Sequence, residues 1–159
     1  MIFVTGDTHG DFDRVPIFIS RSNTRPDDVL IILGDAGINF WGAEKDKYLK
    51  DYLATLPLTL FCVHGNHEQR PESLDFYDEV SWRGGTAYIE AEYPNLVFAK
   101  DGEIYDLGGC KTILFKIPSV EEAMGEGTAT GPFYPNPFGT RRSGVFEPQN
   151  PGGTRNKPL

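Results

Sequence analysis

"VLIILGD", residues 29–35, is an unbroken apolar run that ends in a glycine and an acid. Such a run, without polar alternation, is the pattern of a strand covered on both faces, and it places an acid at the strand's carboxyl end. The same plan recurs on either side. "MIFVTGDTHGD" (1–11) carries a short apolar run into Gly6 and Asp7, and "LTLFCVHGNHE" (58–68) carries another into His64, Gly65, Asn66 and His67. Two helical stretches lie between these runs. Asp11 or Asp13 can cap a helix over roughly 13–21, with Pro16 tolerated in its first turn. Over about 43–55, Tyr48, Leu49, Tyr52, Leu53 and Leu56 form one apolar stripe, and Glu44, Lys45, Asp46, Lys47 and Lys50 read as the solvated face opposite. Strand, helix, strand, helix, strand implies parallel pairing through right-handed crossovers. The expected fold class is therefore α/β, opening with a βαβαβ unit.

After a short segment near 72–78 the texture changes. "TAYIE", "NLVFAKD", "EIYDLGG" and "KTILFK" are extended runs divided by Gly, Asn and Asp turns, the pattern of a β-meander. From about residue 117 no period of 2 or 3.6 survives. Residues 117–159 hold 7 Gly and 7 Pro but only four Ile, Leu or Val. Such a segment buries too little apolar surface to offset the entropy of ordering it. The expected division is a domain over 1–116 and a Gly/Pro-rich, irregular and disordered tail over 117–159.

The 159 residues suit one domain, and 39% apolar with 24% charged residues is ordinary for a globular protein. No run approaches the ~18 apolar residues of a membrane helix, and no basic segment precedes the first apolar stretch as in a signal peptide. Cys62 and Cys110 make no disulfide framework, and Cys62 reads as a buried reduced thiol. A cytoplasmic location follows as the expectation. The net charge of −8 disfavours nucleic acid as a partner. A phosphate substrate remains compatible, provided that bound cations supply positive charge locally. The charge is uneven: residues 1–116 carry 11 Lys+Arg against 19 Asp+Glu, and residues 117–159 carry 4 against 4.

Ligand sites in open parallel sheets form at the carboxyl ends of strands. Asp7, His9, Asp35, Asn66 and His67 would converge there, although Asp7 and Asp35 could instead be strand-end residues making turn hydrogen bonds. Carboxylates, an amide oxygen and imidazole suit Mn²⁺, Fe, Zn²⁺ or Mg²⁺. A carboxylate from the middle strand can bridge two cations, and two metals ~3.5–4 Å apart clamp a phosphate and activate a water. His64 reads as a strand-end histidine or a phosphate contact, and Arg70 as a solvated loop residue or a phosphate contact. Phe40 and Trp41 suggest core packing ahead of a pocket wall.

"GDTHG", "GD" and "GNHE", in this order and spacing, resemble the calcineurin-like metallophosphoesterases over about residues 1–115. The resemblance implies an α/β sandwich, phosphoester hydrolysis and a dinuclear centre. It makes Asp7 and His9 ligands of the first metal, Asp35 the bridge, Asn66 a ligand of the second, and His67 the proton donor to the leaving group. It leans toward phosphomonoesterases and protein or dinucleoside-polyphosphate phosphatases. The protein-phosphatase version is weakened because "GDAGINF" stands where D-R-G would follow. The family pattern also includes a later strand-end histidine and a G-H-x-H block, whereas no histidine follows His67 here. The expectation is a weak second metal site and low or no turnover, from a reading-frame shift or truncation near 112–118. A catalytically dead scaffold or binding module is the alternative.

Overall fold

The computed structural model describes residues 1–114. The tail expected over 117–159 lies outside the described residues. Strand β1 (Ile2–Thr5) leads through helix α1 (Arg14–Ser22) to β2 (Val29–Leu33), and helix α2 (Ala43–Ala54) leads to β3 (Thr59–Val63). A short 3₁₀ turn (Pro71–Ser73) precedes β4 (Asp78–Trp82), β5 (Gly85–Ile89), β6 (Leu96–Ala99), β7 (Ile104–Leu107) and β8 (Cys110–Ile113). The main sheet runs β1-β2-β3-β6-β5-β4, and β7 and β8 form a separate antiparallel hairpin.

The opening unit forms as its apolar runs require: β1, β2 and β3 pair in parallel, in the register Ile2–Val29–Thr59. Two features depart from a simple continuation. "DEVSW" (78–82) is an edge strand that its charged residues hid, since only Val80 and Trp82 are even partly buried. "NLVFA" supplies β6, which pairs in parallel with β3 before β5 and β4 return antiparallel. The meander is thus β4-β5-β6, welded to the parallel sheet.

Alternation along the strands sorts the core into two layers. Leu30, Ile32, Leu60, Cys62, Leu96 and Phe98 meet α1 and α2 through Val15, Phe18, Leu49 and Leu53. Val29, Ile31, Phe61, Val63 and Val97 face the hairpin residues Tyr105 and Leu107. Tyr105 locks the hairpin down: its hydroxyl donates to Thr86 O at 2.6 Å and accepts the Lys100 N–H at 2.8 Å. Helices on one face and a second small sheet on the other explain why these strands read as apolar without alternation. Cys62 is buried and Cys110 exposed, both as free thiols. Among the described residues, no helix is long and apolar enough to cross a membrane.

Helix α2 differs from its amphipathic reading. Tyr48 is 79% exposed, while Asp46 and Lys50, expected on the solvated face, are buried. Lys50 is held by Glu90, just after β5, at 2.7 Å and by the ring faces of Phe76, Tyr77 and Tyr93. Asp46 is held by main-chain donors described below. The donors to Asp46 lie in the loop before the helix and the carboxylate on Lys50 lies far along the chain, so neither partner shows in the helical period.

Candidate metal centre

The three polar strand ends meet as the topology requires. Asp7 and His9 follow β1, Asp35 follows β2, and Asn66 and His67 follow β3; β2 lies between the other two. One ligand atom each from Asp7, His9 and Asp35 lies within 4.8 Å of the others. The His9 ring nitrogen Nε2 is 3.8 Å from Asp7 Oδ2. Two carboxylates and an imidazole are hard-to-borderline donors, and they fit a divalent cation of the Mg²⁺, Mn²⁺, Fe or Zn²⁺ type.

Main-chain bonds hold these groups together. Asp35 O accepts the N–H groups of Thr8 (3.1 Å) and His9 (2.8 Å), and Ala36 O accepts the Gly10 N–H (2.9 Å) and the Thr8 hydroxyl (2.9 Å). Asp35 Oδ1 accepts the His67 N–H at 2.9 Å. Asp35 and His9 adopt left-handed backbone angles (φ 38° and 49°), each costing on the order of 1–3 kcal/mol in a non-glycine residue. Strain of that kind persists where the surroundings over-determine it, as these bonds do.

Close approach explains two of the glycines. A Cβ on Gly65 would overlap the carboxylate oxygen and main-chain nitrogen of Asp35 and come within 2.7 Å of its Cα. A Cβ on Gly37 would overlap Gly10 N and the His9 carbonyl carbon. Any side chain at either position pries apart the loops that bring the donors together.

Two acids that the motif reading left without a role organise the surroundings. Glu68, last residue of "GNHE", accepts the Gly65 N–H through Oε1 and the Gly37 N–H through Oε2, both at 3.1 Å. Burial pushes its carboxyl up to about 7, and the nearby Asp35 charge adds to this, against the pull of the Gly65, Gly37 and Ile38 N–H groups. Its position three residues after a strand-end glycine was the available signal. Asp46 accepts the N–H groups of Phe40 (3.2 Å), Trp41 (3.1 Å) and Gly42 (2.9 Å), fixing the loop before α2.

Asp7, Asp35, His64 and Asn66 line one cleft of about 510 Å³, with Leu33 and Ile113 on its apolar side. His9 and His67 line a neighbouring cavity of about 180 Å³. His64 is buried at the cleft, 6% exposed. Arg70 is ion-paired to Glu72 at 3.1 Å and Asp101 at 3.4 Å, and it lines neither cavity. Phe40 and Trp41 are 48% and 51% exposed, so the expectation of core packing is overturned; the Asp46 bonds hold their backbone where burial would otherwise have to.

A family model for calcineurin-like phosphoesterases matches residues 1–123. The chain belongs to the calcineurin-like phosphoesterase family. No curated protein and no solved structure matches it. For a calcineurin-like phosphoesterase, divalent metal and a phosphoester substrate are the family's chemistry, and the Asp7–His9–Asp35 cluster is a donor set that suits it.

Proposed function

We propose that this chain hydrolyses a phosphoester at a two-cation centre held by Asp7, His9, Asp35 and Asn66, with His67 as proton donor. The observation that carries the reading is the convergence of Asp7, His9 and Asp35 ligand atoms within 4.8 Å, in a chain of this family. Asp7 and His9 serve the first cation, Asp35 reaches both, and Asn66 serves the second. When bound, such cations neutralise phosphoryl oxygens and make the attacking water more acidic. Water adds to phosphorus as the bond to the leaving oxygen breaks. That oxygen keeps the electron pair and takes a proton from the His67 imidazole, and the water's proton passes to solvent. The Asp35 carboxylate, by accepting the His67 N–H, holds the proton donor's backbone beside the carboxylate that both cations would share. Asp35 and Asn66 alone make the second site weak, because water must fill its remaining positions. Free thiols at Cys62 and Cys110 support a cytoplasmic location.

A catalytically dead scaffold or binding module is the second reading, favoured by the lack of any histidine after His67 in the sequence. Mn²⁺ calorimetry paired with a p-nitrophenyl phosphate assay, on wild type and Asp35→Asn, separates the two. The enzyme reading expects one tight and one weak Mn²⁺, with slow metal-dependent turnover that Asp35→Asn abolishes. Mn²⁺ binding without turnover supports the scaffold. Failure to bind Mn²⁺, or turnover that survives Asp35→Asn, overturns the metal centre.

A further inference from the structure

Beside His67 the surface carries an aromatic pair that neither the core nor the donor set uses. Phe40 and Trp41 stand edge to face, 4.8 Å apart at 84°, each about half exposed. The Phe40 ring lies 6.4 Å from the His67 ring at 83°, and the His9 ring lies 5.8 Å from His67. His9, Gly37, Phe40, Trp41 and His67 together enclose the cavity of about 180 Å³. Drug-sized ligands occupy pockets of roughly 300 Å³ or more, so this one holds about a single ring.

The pair is anchored. Three N–H bonds to Asp46 hold residues 40–42, and the Gln69 N–H to Asn39 O (3.1 Å) ties the same loop to the segment that carries His67. A Cβ on Gly10 would lie 3.3 Å from Trp41 Nε1, so the indole sits closely over the first motif. Lys45 Nζ stands 5.3 Å from the Trp41 ring centre. Apolar surface gathered in a concave site beside polar groups, rather than scattered singly, is the make-up of a ligand pocket.

We propose that this cavity receives the leaving group, and that the leaving group is an aromatic ring bonded directly to the ester oxygen, as in an aryl phosphate. The inference rests on the phosphoesterase reading and on His67 as proton donor. If His67 protonates the leaving oxygen, the next atoms of the substrate lie against Phe40 and Trp41. A flat ring there meets their edges and faces, an arrangement worth about 0.5–1.5 kcal/mol beyond area burial, or roughly 2- to 12-fold in affinity. A compact alkyl group leaves the cavity part empty. A nucleoside phosphate, whose base is set back by a ribose, carries its ring past it.

Benzylphosphonate is the probe, because it copies phenyl phosphate with a carbon in place of the ester oxygen and is not hydrolysed. Calorimetry on the Mn²⁺-loaded full chain compares it with ethylphosphonate, cyclohexylmethylphosphonate, adenosine 5′-monophosphate and inorganic phosphate. The expected result is benzylphosphonate binding about 5-fold tighter than either alkyl analogue and tighter than the nucleotide. Phe40→Leu and Trp41→Leu, which keep apolar bulk without the ring, should bring the benzyl-to-cyclohexylmethyl ratio close to one. Benzylphosphonate no tighter than cyclohexylmethylphosphonate, with inorganic phosphate still binding, overturns the aromatic leaving group and leaves the phosphoesterase reading standing. A tighter nucleotide overturns the direct aryl linkage. If inorganic phosphate also fails to bind, the phosphoesterase reading falls and takes this inference with it.

Discussion

Replacing Gly65 by alanine adds one methyl group where the end of β3 passes the end of β2. Gly65 does not sit in the left-handed backbone region, so the cost is one of contact alone. The methyl carbon would lie 2.7 Å from Asp35 Cα and inside the Asp35 carboxylate. The nearest backbone atom is Asp35 N, at 2.2 Å, against a best separation of roughly 3.5 Å, so the Asp35 backbone must retreat by about 1.3 Å. The obstacle is backbone held by the N–H groups of Thr8 and His9, with the carboxylate held by the His67 N–H, and it cannot swing aside as a flexible side chain would. Overpacking typically costs ~1–3 kcal/mol, and a pinned backbone places this case at about 3. For a domain of this size that is a fall in Tm of roughly 10 °C. Scanning calorimetry of Gly65→Ala gives the stability, and Mn²⁺ titration gives the site; weakened Mn²⁺ binding is expected alongside the lower Tm. Gly6→Ala, at the corresponding end of β1, is the control, because nothing lies within 4 Å of its added Cβ. A Gly65→Ala protein within about 2 °C of wild type, with Mn²⁺ affinity unchanged, would refute the close approach as the reason for glycine here.

Lys50→Met should cost about 3 kcal/mol, the low end for breaking a buried pair, because Glu90 keeps some contact with water. Adding Glu90→Gln should recover part of this, and a double-mutant cycle by urea denaturation that comes out additive would show the pair to be uncoupled. Stability should also fall in acid. Hydrogen bonds from Tyr93 and then Lys47 to Asp51, from Lys111 and then Gly109 N–H to Asp106, and from Lys100 to Glu79 hold these carboxyls below their ordinary values of 3.8, 3.8 and 4.5. Lowered folded values mean stabilisation that is complete above the ordinary values and lost as pH falls through the lowered ones. Tm measured from pH 5 to pH 2 should therefore decline more steeply in wild type than in an Asp51→Asn/Glu79→Gln/Asp106→Asn variant; parallel curves would exclude these three groups as a source.

The parallel opening was legible in the sequence because strands covered on both faces need unbroken apolar runs, and Leu30 to Ile32 and Leu60 to Val63 supply them. The strand-end donors were legible for the same reason: a parallel sheet must deliver Asp7, Asp35 and Asn66 to one edge. Much of what stayed hidden depends on partners outside the element that carries the residue. Asp46 looks solvated on a helical wheel, because the three N–H groups it satisfies belong to the preceding loop. Lys50 looks solvated because Glu90 and its aromatic neighbours lie forty residues and a strand away. Strand β4 was missed because an edge strand with charged residues carries little hydrophobic signal. Phe40 and Trp41 resembled core residues because composition records that a ring is apolar, not that its backbone is anchored.

The loop carrying Asp7 and His9 is stitched to Asp35 and Ala36 through peptide groups, which every residue but proline possesses, whereas His67 is tied to the Asp35 carboxylate. Donor atoms in such a cradle can therefore be exchanged one at a time while its walls keep their places. A change of side chain at Asp7 or His9 leaves in place the main-chain bonds that shape this edge of the sheet. Durability of shape and durability of chemistry are thus separately inherited at this site, and the glycines that let the walls approach are the positions at which the two are hardest to part.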